Sequence, residues 1–232
     1  MNDDLAALQN FHGVARLFPL PGLVFFPHAV QPLHIFEPRY RQMAADALAG
    51  DRLVALVLLR PGWEDEYDDA PAVHPVACLG RVAVDQLLPD GRYNLVLRGL
   101  ARVRIVEELT TDKRYRMARV EVLPDEHCDD VDELMALRTA LADLILPRVT
   151  EGPVRDQLRG LFKGESPLGH LCDVLAFALP LPPEAKQELL EVTSVTCRAR
   201  RLMEAFQAVL EEGPKPVGAA AGKRFPPDFS VN

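Results

Sequence analysis

The side chains that could carry hydrolytic chemistry are few in this chain, and their spacing does not suit it. The sequence has three serines, at Ser166, Ser194 and Ser230, and five lysines, none in a GxxxxGK[ST] loop. Peptide hydrolysis needs a nucleophile with a base in reach, and ATP hydrolysis needs amides and a lysine around the phosphates. Ser166 has the pattern of a helix cap, Ser194 lies at a helix junction, and Ser230 lies near the chain end. We therefore predict that the protein is not an enzyme and has no catalytic residue.

Cysteine and histidine offer a second kind of chemistry, metal binding or thiol catalysis. No CxxC pair occurs, and no two histidines stand at ligand spacing, so the sequence predicts no metal and no cofactor. On an extended strand, His74 and Cys78 would stand about 13 Å apart. A cysteine–histidine pair formed only in the fold stays open at this point. The residues concerned are Cys78, Cys128, Cys172 and Cys197, with His12, His28, His34, His74, His127 and His170.

Composition narrows the class of protein. Of the 232 residues, 48% are hydrophobic, which is enough for a sizeable core, and the formal net charge is −8. An acidic chain is a poor partner for phosphate backbones, so nucleic acid is disfavoured. No apolar run reaches the roughly 18 residues of a membrane helix, and the acidic start "MNDDLAALQNF" has no basic segment of a secretory signal. We expect a cytoplasmic protein with reduced thiols and no membrane partner.

The elements that would position a site begin with a proline-rich stretch, "LFPLPGLVFFPHAVQPLHIFEPRYRQMAADALAG", residues 17–50. The stretch has four prolines before residue 33. Because proline has no N–H for a sheet ladder, they divide the stretch and predict two short strands, at residues 23–26 and 33–36. Glu37 and Pro38 then resemble a helix start, and Gly50 is expected to end that helix in the left-handed conformation.

Further strands follow before residue 125. The apolar run 52–59 is typical of a strand buried on both faces. The tripeptide Pro89-Asp90-Gly91 separates two apolar runs, 76–88 and 92–97, and predicts a β-hairpin. Residues 101–106 and 115–123 alternate as strands. Together these segments predict a small closed or half-closed barrel with one helix, over residues 14–124.

The pattern becomes helical after residue 128. Asp129 and Asp130 suit a helix start, and an apolar stripe runs from Val131 to Ile145. Four more helices are predicted, around residues 158–162, around 168–179, in the stretch "LPLPPEAKQELLEV" at 179–192, and around 195–210. We assign residues 125–212 to an all-helical bundle and 213–232, which lack periodicity, to a flexible tail. The predicted fold class is α+β.

Two blocks carry a family resemblance. The stretch "LFPLPGLVFFPHAVQPLHIFEPRYRQM" and the stretch "CLGRVAVDQLLPDGRYNLVLRGLARVRI" resemble the N-terminal domain of Lon proteases, and "KQELLEVTSVTCRARRLMEAF" is a weaker match. The resemblance covers about residues 14–211. The matching residues are Leu20, Pro21, Phe26, Pro27, Leu33, Ile35, Phe36, Glu37, Arg39 and Tyr40 in the first block, and Gly80, Val82, Ala83, Pro89, Asp90, Gly91, Gly99 and Arg102 in the second.

The resemblance implies a PUA-like β-barrel followed by a helical bundle, in a stand-alone bacterial protein without the ATPase and protease domains. It also implies a non-catalytic module that engages exposed apolar segments of unfolded or degron-bearing proteins, in connection with proteolysis or protein quality control. The sequence does not indicate an oligomeric state. The alternative is a PUA-like RNA-binding protein with an arginine strip, formed by Arg98, Arg102, Arg104, Arg114, Arg116 and Arg119.

Six residues are candidates for peptide contact. Aromatic side chains near the proline-rich strands could line an apolar groove, although such residues more often belong to a core. Glu37 could bind a peptide N–H or a basic side chain, or instead cap the helix or pair with Arg39 or Arg41. Trp63 stands in the acidic stretch "GWEDEYDDAP", where an exposed aromatic suits partner contact. The candidates are Phe25, Phe26, Phe36, Glu37, Tyr40 and Trp63.

Overall fold

A computed structural model describes residues 2–65, 70–149 and 151–212 of the chain. Its strands are β1 (Val14–Leu20), β2 (Val30–Ile35), β3 (Leu53–Leu58), β4 (Val76–Leu87), β5 (Tyr93–Leu109) and β6 (Met117–Leu123). Its helices are α1 (Asn2–Gln9), α2 (Pro38–Ala49), α3 (Val131–Ile145), α4 (Pro153–Lys163), α5 (Leu168–Ala178), α6 (Pro183–Glu191) and α7 (Val195–Glu212), with short 3₁₀ turns at Trp63–Asp65 and Leu146–Arg148. The α+β class is confirmed.

Five of the strands close into a barrel. The sheet order is β2-β5-β4-β3-β1-β6, and a further pairing between β5 and β6 completes the ring. Only β1 and β3 run parallel among these pairs. Strand β3 is buried at every residue, as its apolar run predicted. Strand β2 lies outside the ring, against the first half of β5.

The barrel wall has apolar residues on both faces. One face of β1 and β3 forms a cluster that includes Leu17, Leu53 and Val57, and Leu8 and Phe11 of the N-terminal segment pack against it. The opposite face belongs to a larger cluster shared with α2 and the helices that follow β6. Helix α1 was not predicted from the sequence. The division into units at residue 124 stays a prediction, and the predicted tail at 213–232 lies outside the described residues.

The helical half follows the sequence patterns closely. The five helices predicted after residue 128 are α3 to α7, and Asp130 caps α3 by accepting a hydrogen bond from the backbone N–H of Glu133. Ser166 was predicted as a cap and is not one, because α5 begins after Pro167. Ser194 instead caps α7, since its Oγ accepts from Cys197 N at 3.4 Å.

The proline-rich stretch departs from its prediction. Residues 23–26 form no strand. The backbone of Gly22 is in the left-handed region, and the Phe26 carbonyl accepts a hydrogen bond from Ala29 N, so the chain turns at both ends of this segment. The Phe26 backbone lies so close to Gly99 that a Cβ there would overlap it. Gly50 ends α2 at φ −119°, which is not left-handed; Arg52, at φ +62°, takes that conformation instead. The strands predicted at 92–97 and 101–106 are one strand, β5.

A buried cluster of charges joins the barrel to the helices. Arg102 of β5 and Arg198 of α7 both pair with Asp173 of α5, with Nη1–carboxylate distances of 3.0 and 3.2 Å. Arg198 also donates to Asp125 at 2.5 Å, and Arg102 donates to the Leu190 carbonyl at 3.0 Å. Burial alone would raise the pKa of Asp125, but Arg198 and then Arg102 lower it below its ordinary value. Arg102, Asp173 and Arg198 are at most 2% exposed, so each buried charge is stabilised by its oppositely charged partners and not by water.

Two histidines stack at the same junction. The ring of His28, in the turn before β2, lies 4.0 Å from the ring of His170 on α5, at 28° between planes. Burial lowers the pKa of both imidazoles, and their mutual repulsion when charged lowers the pKa of His28 further. The stack therefore joins two neutral rings at neutral pH.

The predicted hairpin is confirmed, and Gly91 in its turn has φ +79°. We expect Gly91→Val to lower the free energy of unfolding by about 1 kcal/mol or more, because β-branched residues tolerate this region poorly. Gly91→Asn is the matched control, since it also brings a Cβ towards Arg41 but accepts positive φ. Chemical denaturation measures the free energy of unfolding of both variants. Equal losses in the two would contradict the explanation that backbone strain at positive φ causes the destabilisation.

Candidate peptide-binding site

An apolar pocket of about 260 Å³ lies where β1 ends, β2 ends and α2 begins. Pockets for small molecules and cofactors occupy about 300–1,000 Å³, so this one suits one or two amino-acid side chains. Its lining is aliphatic and aromatic except at its edge, where His34 and Glu37 stand. The lining residues are Phe18, Leu20, Pro21, Leu23, Leu33, His34, Ile35, Phe36, Glu37 and Tyr40.

Local sequence explains why these side chains converge. Pro38 occupies the first turn of α2, where its missing N–H costs nothing, and the helix starts immediately after β2. Tyr40 therefore faces back onto the end of β1, with its ring 4.5 Å from that of Phe18 and tilted by 52°. Burial raises the pKa of Tyr40 to about 12, so it remains a neutral phenol in the wall of the pocket.

Glu37 is held by its neighbour in the chain. Arg39 donates Nε to Glu37 Oε2 at 3.0 Å and brings a second guanidinium nitrogen to 2.9 Å. The same guanidinium lies 4.8 Å above the centre of the Tyr40 ring, a cation–π distance. Glu37 makes no side-chain cap for α2. Of the roles considered for Glu37, the structure shows the salt bridge with Arg39. A peptide contact by Glu37 stays a prediction.

His34 forms the opposite edge of the pocket. Its Nδ1 lies 2.8 Å from Asn94 Oδ1, and Arg92 Nη1 lies 3.3 Å from its Nε2. Because the guanidinium can only donate, Nε2 accepts and Nδ1–H donates to the amide oxygen. The Phe36 ring stacks at 6.3 Å from this imidazole. The edge is thus fixed by hydrogen bonds, while Phe36 is only half-buried.

The six predicted contact residues separate into three groups. Phe36, Glu37 and Tyr40 meet at the pocket. Phe25 and Phe26 are core residues, 1% and 0% exposed, and do not line a groove, because the irregular segment that carries them folds inward against β5 and α5. Trp63 lies half-buried in the 3₁₀ turn Trp63–Asp65 and is not part of the pocket lining.

Sequence reasoning missed the aliphatic half of the lining. Leu20, Leu23 and Leu33 belong to it, and the sequence signal was the alternation of β2, in which Leu33 and Ile35 share one face. A second cavity, of about 350 Å³, lies between α6 and α7. Three of its lining residues are charged, and the lining residues are Ala185, Glu188, Leu189, Arg201, Glu204, Ala205 and Ala208.

The arginine strip is interrupted by ion pairs and by burial. Arg102 belongs to the predicted strip but is buried at the helical junction. Arg116 pairs with Glu108, Arg98 lies 3.3 Å from Asp4, and Arg119 lies 3.8 Å from Glu107. These carboxylates offset the positive charge that a phosphate backbone would need.

Two of the four cysteines, Cys78 and Cys172, are buried. Burial raises the pKa of Cys172 to about 12 and that of Cys78 higher still, so both thiols stay protonated. Among residues 2–65, 70–149 and 151–212, no three or more His, Cys, Asp or Glu side chains are grouped to hold a metal ion. Every helix in that part of the chain is too short or too polar to span a bilayer.

A family model and the related sequences indicate the same family. Residues 14–208 match the family model described as the ATP-dependent protease La (LON) substrate-binding domain. A Lon protease of Anaeromyxobacter dehalogenans is 28% identical over 199 residues, which are 84% of this chain and 23% of the relative. A Lon protease of Syntrophus aciditrophicus is 30% identical over 192 residues, 82% of this chain and 24% of the relative. The chain thus spans about a quarter of the length of these relatives.

Two solved structures share the fold. One is a Lon N-terminal domain protein from Xanthomonas campestris, with a TM-score of 0.60 and 23% identity, covering 82% of this chain and 97% of the other. The second is the N-terminal domain of a Mycobacterium avium complex Lon protease, with a TM-score of 0.64 and 17% identity, covering 84% and 98%.

Proposed function

Since the chain belongs to the family of ATP-dependent protease La (LON) substrate-binding domains, we propose that it is a non-catalytic module that binds exposed apolar segments of proteins. In this proposal its partners are unfolded or degron-bearing polypeptides, and its setting is proteolysis or protein quality control. The observation that carries the proposal is the apolar pocket at the junction of β1, β2 and α2, which is open to solvent and sized for side chains.

Burial of apolar surface would supply the binding energy. Each Å² removed from water contributes roughly 25 cal/mol before the costs of ordering the ligand are subtracted. A pocket for one or two side chains therefore supports weak, reversible binding, and tight capture would need several such contacts along one polypeptide. Weak binding of this kind suits a module that must accept many sequences and release them.

The proposed absence of catalysis rests on the positions of the nucleophiles. Ser194 is engaged as a helix cap, and the Cys78 and Cys172 thiols are buried and protonated. The Cys128 thiol donates to a Glu133 carboxylate oxygen at 3.4 Å.

Salt dependence separates this proposal from RNA binding. We expect a reduced, alkylated and fluorophore-labelled unfolded protein to bind the purified chain with an affinity that changes less than about threefold between 50 and 200 mM salt, because apolar contacts release no counterions. A protein that neutralises 6–10 phosphates would lose about 10³–10⁵ in affinity over that range. Fluorescence anisotropy measures both, with a labelled single-stranded RNA titrated in parallel.

No turnover of the labelled protein is expected during this titration, with or without ATP. Salt-sensitive RNA binding together with no binding of the unfolded protein would overturn the proposal. Hydrolysis of either probe that persists through purification would contradict the absence of catalysis.

A further inference from the structure

Strand β2 is the one strand that the closed barrel leaves outside its ring. Within the described residues it pairs with β5 on one side, from Val30 opposite Arg98 to Ile35 opposite Tyr93, and with no strand on the other. An edge strand presents a row of backbone N–H and C=O groups to which another extended segment can add.

The hydrogen-bond phase of β2 shows which groups face outward. Gly99 N donates to the carbonyl of Ala29 at 2.9 Å, and Val30 stands opposite Arg98, so the Ala29 carbonyl is directed towards β5. Because the backbone groups of every second residue of an antiparallel strand point to the same side, those of Leu33 also face β5, and those of Pro32 and His34 face the open side.

Part of this open side is protected. Pro32 has no N–H, and the side chain of Gln31 donates to the Pro32 carbonyl at 2.8 Å. Proline on an edge strand blocks pairing at its own position. His34, two residues later, carries both an N–H and a carbonyl in the equivalent orientation. The unprotected part of the edge is therefore the end of β2, next to α2.

The unprotected end of β2 and the apolar pocket coincide. Leu33, His34, Ile35 and Phe36 are consecutive in the chain and all line the pocket. A segment that pairs with His34 would direct alternate side chains to the two faces of the sheet. One of those side chains would enter the pocket, whose volume of about 260 Å³ suits one or two side chains.

We propose that the protein binds its polypeptide partners as an added β-strand, paired with the backbone of His34 and anchored by one apolar side chain in the pocket. This inference rests on the proposed function and specifies the conformation of the ligand. The recognised class is an extended segment with apolar residues at alternate positions, because an amphipathic helix has no free backbone groups to pair with His34.

Two substitutions at His34 test the backbone contact. His34→Ala and His34→Pro both remove the imidazole and its contacts with Asn94 and Arg92, but only His34→Pro removes the N–H. Pro32 already occupies the equivalent outward position, so the ladder with β5 tolerates proline there. We expect His34→Pro to bind a labelled peptide of alternating leucine and threonine about three- to tenfold more weakly than His34→Ala.

A second peptide with the same side chains makes the test independent of folding. Its backbone is N-methylated at every central residue, so that neither edge can donate a hydrogen bond to a strand. The native protein should bind the unmethylated peptide about three- to tenfold more tightly, and His34→Pro should reduce that preference. Equal binding of the two peptides by the native protein would overturn strand addition and leave the proposed function standing. Failure of the native protein to bind either peptide would instead contradict the proposed function.

Discussion

Replacing Asp173 by asparagine is expected to lower the free energy of unfolding by about 3–5 kcal/mol. Asp173 is 1% exposed and is the shared partner of Arg102 and Arg198, which are themselves 2% and 0% exposed. Removal of the shared anion leaves two guanidinium groups buried against a single remaining carboxylate, Asp125. Loss of one partner of a buried ion pair costs far more than the pair itself contributes, because the remaining charge cannot be solvated.

The matched control is Glu108→Gln. Glu108 also pairs with an arginine, Arg116, but its side chain is 41% exposed, so water can replace the lost contact. A cost of about 0–1 kcal/mol is expected there. Urea denaturation of both variants measures the difference. Equal small losses would show that the charge cluster does not hold the barrel against the helices.

The sequence predicted the parts of the fold that local rules determine. The hairpin at Pro89-Asp90-Gly91 needs a residue that accepts positive φ, and Gly91 has it. Asp130 caps α3 through a contact three residues away. Strand β3 is buried throughout because its residues 53–58 are all apolar. In each case the information lies within a few residues of the feature.

Long-range packing explains what the sequence could not show. Arg102 alternates with apolar neighbours along β5, which predicts a polar outer face, but α5 and α6 cover Arg102, and it pairs with Asp173 of α5 and the Leu190 carbonyl of α6. Phe25 and Phe26 look like strand residues, but Gly99, over 70 positions later, lets their backbone approach the sheet. Partners so far apart in the chain leave no local signal.

Only the half of the candidate site that is local in the chain was predicted. Phe36, Glu37 and Tyr40 are near one another in the chain and in space, so one stretch of sequence indicated them together. The opposite wall comes from Phe18, Leu20 and Leu23, whose approach depends on the path between β1 and β2. That path is irregular. At its turn the residue with positive φ is His28 and not a glycine, so the sequence does not indicate the turn.

A negative charge in the pocket should abolish most of the proposed binding. Phe36 is half-buried in the pocket lining and precedes α2, where an added acid near the helix N-terminus favours folding. We expect Phe36→Glu to weaken binding of the labelled unfolded protein at least about tenfold, equivalent to ~1.4 kcal/mol, because the lost apolar contact and the desolvated carboxylate both oppose it.

The measurement that tests the central claim most directly compares this variant with Val131→Glu. Val131 is 68% exposed and begins α3, so the substitution adds the same charge at a helix start that is not part of the pocket lining. With melting midpoints recorded for both, titration of the labelled unfolded protein should show native affinity for Val131→Glu, within about twofold, and the tenfold loss for Phe36→Glu alone. Native affinity in both variants, or an equal loss in both, would contradict binding at this pocket.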